Sequence, residues 1–448
     1  MQEIRTEQAR RNFGLWLKHV TPDWTWDWPH LKHVQWHLDK VTTGEIKRLM
    51  IFMPPRHGKT EMVTVRYPVW RMERDRSLSV IVGAYSQTRA DNFSRKARKV
   101  ARRRFPLSEE RTAANDWETS QGGGMRAVGV GAGITGTGGQ LIIIDDPIKG
   151  REEANSEAYR RRVWDWYTDD LYTRLEPGGS VILIQTRWHE DDLAGRILAS
   201  EDGPNWTVVS LPAEAEEDDP LGREIGEALC PERYDKAALQ RIKRVLGSWS
   251  YAALYQQRPM PLEGGLAKRH WFEIVDAWPA AVADVVREWD FAATAKTTAS
   301  WTVGTRMSVL QGTYYIEDVV RDQIGPGAVE DLVKQTAEID ELGTRVWFEQ
   351  EPGSAGKLFA ASLIKLLDGY SVRAVPSTGD KVTRALPFLA QAEAGNVKLV
   401  KGPWNKAWLD EICSLPQPGR ADDQWDSAAA AYEALQKKPS RGGVHRYA

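Results

Sequence analysis

The sequence has little of what marks a secreted or membrane protein. Its 448 residues include only two cysteines, Cys230 and Cys413, which are too few for a disulfide framework or a cysteine-based zinc site. No run approaches the roughly 20 apolar residues of a membrane span, and no N-terminal segment resembles a signal peptide. We therefore expect a soluble protein of a reducing, intracellular compartment.

An excess of charge of either sign is also missing. The formal net charge is −2, so the overall composition gives no indication of a polyanionic partner. The chain also lacks internal repeats and long low-complexity tracts. Its length predicts two or three domains, and the Pro- and Gly-rich segment 258–265 predicts a linker between them.

Residues 49–60 form the first motif that carries chemistry. A short apolar run, a turn with Pro54 and Pro55, and the sequence Gly58-Lys59-Thr60 precede a predicted helix, Glu61–Arg74. This order is typical of a phosphate-binding loop, where backbone N–H groups surround an anion at a helix N-terminus. We expect Lys59 to reach the β- and γ-phosphates of ATP and the Thr60 hydroxyl to hold Mg²⁺.

The loop departs from the usual pattern at its start, where Met53 replaces the first glycine. Arg56 adds a second cation within reach of phosphates, and His57 completes the loop. Gln35 precedes it by about 20 residues, where many ATP-driven motors place a glutamine that reads adenine. An exposed helical glutamine is the plainer interpretation of Gln35.

The second nucleotide element is the segment 141–146. Four apolar residues predict a strand buried on both faces of a parallel sheet, and Asp145 and Asp146 follow at its carboxyl end, where such sheets bind ligands. We expect Asp145 to anchor the Mg²⁺ shell and Asp146 to polarise the attacking water. The alternative is a pair that caps the next helix. Thr186, after the predicted strand 181–184, would sense the γ-phosphate.

The ten residues 95–104 contain seven cations. They would form a solvated helix face, contact DNA phosphates, or offer an arginine to the nucleotide of a neighbouring subunit. The sequence does not choose among these three.

The second half predicts three consecutive strands, 285–290, 300–305 and 314–319, followed by alternating helices and strands. This order is typical of ribonuclease-H-like nucleases. Several acidic residues lie at the ends of the predicted strands and at the start of the last predicted helix. They are Asp290, Glu349, Asp422, Asp423 and Asp426. Their convergence would hold two divalent metals that activate water and stabilise a leaving phosphodiester oxygen. Lys381 and Arg384, at a helix start, are candidates for contact with DNA phosphates.

With both halves considered, the chain resembles the large terminase subunit of tailed phages. The resemblance rests on the segments 54–60, 144–147, 186–189, 255–259, 379–381 and 422–426 in this order. It implies an α/β fold with an ASCE-type P-loop ATPase domain (1–210), a small helical lid (211–262), an RNase H-like (RuvC-like) nuclease domain (263–437) and a C-terminal tail (438–448).

The resemblance also assigns residues and partners. Lys59, Thr60, Asp145 and Asp146 match the nucleotide residues, and Thr186 matches the coupling motif. Asp290, Glu349, Asp422 and Asp423 match the metal ligands. The implied cofactors are ATP and Mg²⁺, with Mn²⁺ as an option in the nuclease site. The implied partners are double-stranded DNA, a portal protein, a small terminase subunit and further copies of the chain in a ring. The resemblance also implies that the protein acts in the host cytoplasm, at the portal of the procapsid, and is not part of the mature virion.

Two departures from the family pattern remain. Asp146 stands where relatives commonly carry glutamate, and Thr137 stands where some carry an arginine in the glycine-rich loop, which leaves Arg126 and the cations of 95–104 as candidates for the arginine finger. The competing interpretations are a DNA-repair helicase–nuclease and a non-catalytic scaffold. Segment 211–262 is too short for a second helicase motor domain, and the intact Lys59 and Asp145 argue against a scaffold.

Overall fold

The computed structural model describes residues 2–134, 136–260, 265–279, 284–291, 301–376, 380–416 and 422–437. Ser300, Gly379, the tail 438–448 and half of the predicted linker lie outside these ranges. The chain forms two compact units, the first comprising Met1–Ile242 with Trp249–Pro261 and the second Lys243–Ser248 with Leu262–Ala448. None of the helices in the described ranges is long and apolar enough to cross a membrane.

The first unit contains eight strands and most of nine helices. The strands are β1 (Arg48–Phe52), β2 (Ser79–Ala84), β3 (Leu107–Thr112), β4 (Asp116–Thr119), β5 (Gly124–Gly129), β6 (Gly139–Asp145), β7 (Leu175–Gln185) and β8 (Thr207–Ser210). The helices are α1 (Gln2–Arg11), α2 (Phe13–Val20), α3 (Pro29–Thr43), α4 (Tyr67–Arg74), α5 (Gln87–Ala101), α6 (Arg151–Asn155), α7 (Glu157–Asp165), α8 (Leu193–Ala199) and α9 (Lys236–Leu254).

These strands form one sheet in the order β3-β4-β5-β2-β6-β7-β1-β8. All neighbours run parallel except β3–β4 and β4–β5. In β6, Leu141 and Ile143 pack in one hydrophobic cluster, and Ile142 and Ile144 pack in another. The apolar run is therefore buried on both faces, as the sequence predicts for a central parallel strand.

Helix geometry departs from the prediction after the phosphate-binding loop. The predicted single helix 61–74 is a π-helical turn, Glu61–Arg66, followed by α4. Pro68 has no N–H to donate to Thr64, so the regular helical hydrogen bond is missing at that point. Helix α9 joins the two helices predicted over 236–246 and 251–257, with a kink at Gly247 (φ 75°).

The second unit contains a seven-stranded sheet in the order β14-β13-β10-β11-β12-β15-β9. Its strands are β9 (Glu273–Val275), β10 (Asp284–Asp290), β11 (Thr302–Leu310), β12 (Thr313–Asp322), β13 (Arg345–Gln350), β14 (Val372–Pro376) and β15 (Val397–Val400). Its helices are α10 (Pro326–Asp340), α11 (Ser354–Leu366), α12 (Lys381–Glu393), α13 (Asn405–Ile412) and α14 (Asp423–Gln436).

Strands β10, β11 and β12 are antiparallel, and β13 and β14 extend the sheet in parallel from β10. This confirms the predicted order of three strands followed by alternating helices and strands. Side chains of β10 alternate between the faces: Val286 packs with α12 and α14, whereas Trp289 packs with α10 and α11.

A buried arginine connects β10 to α10. Arg287 is 2% exposed and donates to both carboxylate oxygens of Asp340, each at 2.7 Å. It also donates to Asp318 at 2.9 Å and to the Gly304 carbonyl oxygen at 2.9 Å. The pair is bidentate and fully satisfied, which is the condition under which a buried ion pair is tolerated.

We predict that Arg287→Ala destabilises the second unit by about 3–5 kcal/mol, because it leaves the buried Asp340 carboxylate uncompensated. Hydrogen–deuterium exchange of β10 and β13 in the full chain measures the local loss of protection. The control is Arg269→Ala, which removes the exposed pair with Asp410 and should cost at most about 1 kcal/mol. Equal exchange in both variants would contradict the prediction.

Candidate nucleotide and metal sites

The phosphate-binding loop connects β1 to the π-helical turn in a conformation that needs glycine. Gly58 has φ +93°, and a Cβ there would also lie 3.2 Å from Leu31 Cδ2. Arg56 adopts φ 62° despite its side chain. The loop backbone therefore turns sharply before Lys59 and Thr60.

Lys59 connects the loop to the ends of two strands. Its buried ammonium group donates to the Met53 carbonyl oxygen at 3.3 Å and to the Thr186 hydroxyl, and it lies 3.4 Å from Asp146 Oδ1. Thr186 follows β7 and Asp146 follows β6. The structure thus brings three predicted nucleotide residues, Lys59, Asp146 and Thr186, within one hydrogen-bonded group.

Asp145 lies at the end of β6 with no exposed surface. Its two oxygens accept hydrogen bonds from the Thr60 hydroxyl at 3.2 Å and from the Thr64 hydroxyl at 2.6 Å. Burial, followed by repulsion from Asp146, raises the pKa of Asp145 to about 7. Thr60 and Asp145, predicted to hold Mg²⁺ together, are in direct contact. The sequence did not predict the contact of Thr64 with Asp145, because this contact depends on the wide π-helical turn.

Asp146 has an unusual backbone conformation, with φ 45°. Its N–H donates to the Ile184 carbonyl oxygen at 2.9 Å, and its Oδ1 accepts from the Thr186 N–H at 2.8 Å. These bonds hold Asp146 between β6 and β7 and direct its carboxylate to Lys59. The cap interpretation of the Asp pair receives no support, since α6 begins at Arg151 after Gly150.

The cavity beside the loop has a volume of about 640 Å³. Its lining includes the predicted residues Arg56, Gly58, Lys59, Thr60, Asp146 and Thr186. It also includes residues that were not predicted: the aromatic side chains Trp24, Trp26, Trp28 and Phe93, and the cations Arg89, Lys96 and Arg233. The Trp-rich segment before the loop is the sequence signal for these aromatic side chains, although composition alone indicates only packing residues there.

His57 and Gln35 do not line this cavity. The His57 ring is buried, lies 2.9 Å from the Pro55 carbonyl oxygen through Nδ1, and stacks on Tyr234 at 5.2 Å. Burial lowers the pKa of His57 to about 4, so its side chain is neutral. Gln35 donates its amide to the Trp26 carbonyl oxygen at 3.2 Å. Their assignment to nucleotide binding stays a prediction.

Arg126, a candidate for the arginine finger, is paired within its own unit. Its guanidinium lies 2.8 Å from Asp116 and also donates to the Thr137 hydroxyl. In the basic segment, Arg104 pairs with Glu73 at 2.8 Å, and Lys96 pairs with Glu61. The other exposed cations of that segment include Lys99, Arg102 and Arg103.

The second unit brings acidic side chains together around the end of β10. Glu288 pairs with Trp347 of β13 in parallel register, so Asp290 and Glu349 lie on the same face, two residues further along their strands. Helix α14 is fixed to this face by Ser427, whose hydroxyl donates to the Glu288 carbonyl oxygen at 2.9 Å and accepts from the Thr305 N–H at 3.1 Å.

Two cations pair with these acids. Lys381 lies 2.9 Å from Asp422 and also contacts Asp426, while Arg384 lies 3.1 Å from Glu349 and 3.4 Å from Asp426. The side chains predicted to contact DNA phosphates are therefore directed at carboxylates. Asp426 is buried, whereas Asp422 is exposed on its side chain by 41%. Asp426, left open as a ligand by the sequence, lies deeper in the cluster than Asp422.

Negative charge is concentrated at this site. Burial, followed by repulsion from Asp426, raises the pKa of Asp290 well above its usual range, and Asp423 and Glu349 add to the shift. Burial also raises the pKa values of Asp423 and of Asp426, the latter to about 6. The negative charge of Asp423 thus acts on Asp290.

The donor set suits a hard cation, since it consists of carboxylate oxygens alone. As the side chains stand, no three His, Cys, Asp or Glu groups among the described residues converge on one metal position. Lys381 and Arg384 each bridge two of the acids. A bound metal would therefore compete with these cations for the carboxylate oxygens that they contact.

Glu288 is an acid of this cluster that sequence reasoning missed. It is 4% exposed on β10 and lies two residues before Asp290, so both side chains point to the same face. The signal was available: Glu288 is an acid in the interior of a predicted strand, two positions before Asp290 and therefore on the same face.

Fold and sites together define the class of protein. In the first unit, β7 lies between the strand of the phosphate-binding loop, β1, and the strand of the acidic pair, β6, as in an ASCE-type P-loop ATPase. The second unit has the sheet of an RNase H-like nuclease with acids at its strand ends.

Comparisons with known proteins agree with this class. Residues 50–260 match the family "Terminase large subunit, T4likevirus-type, N-terminal", and residues 287–435 match "Terminase RNaseH-like domain". The chain belongs to the terminase large subunit family and carries its ATPase and nuclease domains. The comparisons give no support to the repair helicase–nuclease. No curated protein sequence matches the chain significantly.

Solved structures show the same fold. The large terminase of a thermophilic bacteriophage (crystal form 2) is 14% identical with a TM-score of 0.54, and the match covers 92% of this chain and 100% of that chain. The complex of the same phage protein with ATP-γ-S (crystal form 3) is 14% identical with a TM-score of 0.51, and the match covers 90% of this chain and 97% of that chain.

The raised pKa of Asp145 gives a testable pH dependence. The folded state binds the proton more tightly than the unfolded state, whose pKa is 3.8, so stability falls as pH rises from about 4 to 7. Without metal, we predict that wild type loses on the order of 3 kcal/mol relative to Asp145→Asn between pH 4.5 and pH 8.

Exchange protection of β6 in the full chain with EDTA measures this difference. Asp165→Asn, an exposed acid of the same unit, is the control and should follow wild type. A constant difference between wild type and Asp145→Asn over this pH range would contradict the assignment.

Proposed function

We propose that this chain is the catalytic subunit of a DNA-packaging motor. ATP hydrolysis in the first unit drives double-stranded viral DNA into a procapsid, and the second unit cuts concatemeric DNA in a metal-dependent reaction. The observation that carries the proposal is the joint occurrence of the Lys59–Asp146–Thr186 group and the acid cluster around Asp290, in a chain that matches both terminase domains in order.

ATP occupies the cavity beside the phosphate-binding loop in this proposal. Lys59 and Arg56 neutralise the phosphate oxygens, and the N–H groups at Gly58 to Thr60 bind them at the helix start. Thr60 and Asp145 hold Mg²⁺, which when bound neutralises charge on the β- and γ-phosphates. The similar phage large terminase that was solved in complex with ATP-γ-S supports nucleotide binding by a chain of this fold.

Asp146 and Thr186 connect hydrolysis to the protein. Asp146 orients the attacking water in this proposal. Its side chain is shorter than that of glutamate, so its reach depends on the backbone position. The φ of 45° and the hydrogen bond from the Thr186 N–H direct its carboxylate towards Lys59. When phosphate occupies Lys59, the ammonium group releases the Thr186 hydroxyl. The hydrogen bonding of Thr186, at the carboxyl end of β7, thereby depends on whether nucleotide is bound.

Cutting takes place at the acid cluster. Asp290, Glu349 and Asp423, with Asp422 or Asp426, hold divalent ions that when bound lower the pKa of water and stabilise the leaving oxygen. Mg²⁺ or Mn²⁺ fits these oxygen ligands. Lys381 and Arg384 balance the acids in the absence of metal and are free to turn to DNA phosphates once the acids are occupied.

The basic stripe of α5 and the turn after it contacts the DNA backbone in this proposal. Lys99, Arg102 and Arg103 are exposed, and within the described residues they form no ion pair with a carboxylate. A ring of subunits docked on a portal protein, with a small terminase subunit that selects the DNA, completes the motor in the host cytoplasm. Family membership supports these partners as part of the proposal.

The central experiment separates the two activities. We expect Lys59→Ala to lower ATP hydrolysis and packaging at least 100- to 1,000-fold, because the phosphate charge loses the buried ammonium group that neutralises it. Plasmid cleavage should stay intact in this variant. Asp290→Ala should do the reverse. Lys149→Ala and Asp368→Ala, exposed residues of the first and second units, are the controls. ATPase activity that survives Lys59→Ala would refute the nucleotide assignment.

The DNA contact of the basic stripe is tested by salt dependence. Arg102→Ala/Arg103→Ala should lower the slope of log Kobs against log salt by about 2, since each phosphate contact contributes about 0.9. Filter binding of a duplex without ATP measures the slope. Lys149→Ala/Arg161→Ala, which removes two exposed cations elsewhere on the same unit, should leave it unchanged. Identical slopes for wild type and both double variants would show that the basic stripe does not contact DNA phosphates.

A further inference from the structure

Glu288 differs from the other buried acids of the second unit. Asp340 pairs with Arg287, Glu317 with Arg306, Glu411 with Arg321, and Asp426 with Lys381 and Arg384. Glu288 is equally buried, at 4% exposure, yet within the described chain it forms no ion pair, and its Oε2 has no hydrogen-bond partner. A buried, unsatisfied carboxylate is costly, so it calls for a specific cause.

The surroundings of Glu288 are those of the acid cluster. The charged groups that act on it most strongly are Asp290, Glu349, Arg384 and Asp426. Arg384 is the one cation in this set, and it is already bonded to Glu349 and Asp426. Its Nε is buried without a partner as well. Both unsatisfied groups therefore belong to the same site.

The fold keeps the Glu288 carboxylate in place. Antiparallel pairing with Thr305 and parallel pairing with Trp347 fix the backbone on both sides. Ser427 at the start of α14 binds its carbonyl oxygen. The side chain cannot turn to solvent, because α12 and α14 pack on this face of the sheet.

Charge balance leads to the same conclusion. The six acids of the cluster are Glu288, Asp290, Glu349, Asp422, Asp423 and Asp426. Against Lys381 and Arg384 they leave four negative charges if all are ionised. This excess of negative charge favours a bound divalent cation.

We propose that Glu288 supplies a carboxylate to the divalent-cation site of the nuclease domain, on the buried side of Asp290. The ligand class is a hard divalent ion such as Mn²⁺ or Mg²⁺. This inference rests on the proposed nuclease function, because it adds a residue to the same site.

Manganese binding to the full chain without nucleotide or DNA tests the role. Electron paramagnetic resonance of free Mn²⁺ gives the affinity, and the binding that Asp290→Asn removes defines the nuclease component. We expect Glu288→Gln to weaken that component on the order of 10- to 100-fold, as loss of a residue that holds a metal site does. Glu317→Gln, which changes a second buried acid of the same sheet that pairs with Arg306, should leave it unchanged.

Thermal unfolding in EDTA distinguishes a metal role from a structural one. Glu288→Gln removes a negative charge from among other acids, so its melting temperature in EDTA should equal or exceed that of wild type, while the increase on adding Mn²⁺ becomes smaller. A lower melting temperature in EDTA, or unchanged Mn²⁺ affinity, would overturn the inference. If Asp290→Asn itself removes no Mn²⁺ binding, the proposed metal site fails before Glu288 is considered.

Discussion

Both units concentrate negative charge at the carboxyl ends of buried strands with too little positive charge to balance it. In the first unit, Asp145 and Asp146 share Lys59. In the second, the acids around Asp290 share Lys381 and Arg384. Repulsion between buried carboxylates is expensive, and a bound cation removes it. Each fold therefore favours either protonation of these acids or added positive charge at these two places.

Neutral groups and backbone constraints also hold some of these acids in place. The Thr60 and Thr64 hydroxyls contact Asp145, and the Ser427 hydroxyl binds the backbone carbonyl oxygen of Glu288. Asp146 is held in a left-handed conformation between two strands. The buried Arg287, by contrast, pairs with Asp340 on the face of β10 opposite the acid cluster.

Much of the fold followed from local pattern. The apolar run before Asp145 predicted a strand with two buried faces, and the alternation of strands and helices in the second half predicted the observed order around β10. Element bounds shifted by a few residues. The prediction of a single α-helix over 61–74 was wrong at its start, which is a π-helical turn. Pro68 removes a backbone donor and widens that turn, and hydrophobic periodicity does not reveal this effect.

The sequence by itself determined which chemistry is possible: Gly58, Lys59 and Thr60 before a helix, and acids at the ends of apolar strands, are set by residue type and spacing. Only the tertiary structure decided which of these groups meet. It placed Lys59 against Asp146 and Thr186 and directed Lys381 and Arg384 at carboxylates. It left His57 and Gln35 out of the cavity lining and brought Thr64, Arg233 and Glu288 to the two sites. These contacts join residues far apart in sequence, and their distances depend on sheet register and helix packing, which local spacing does not encode.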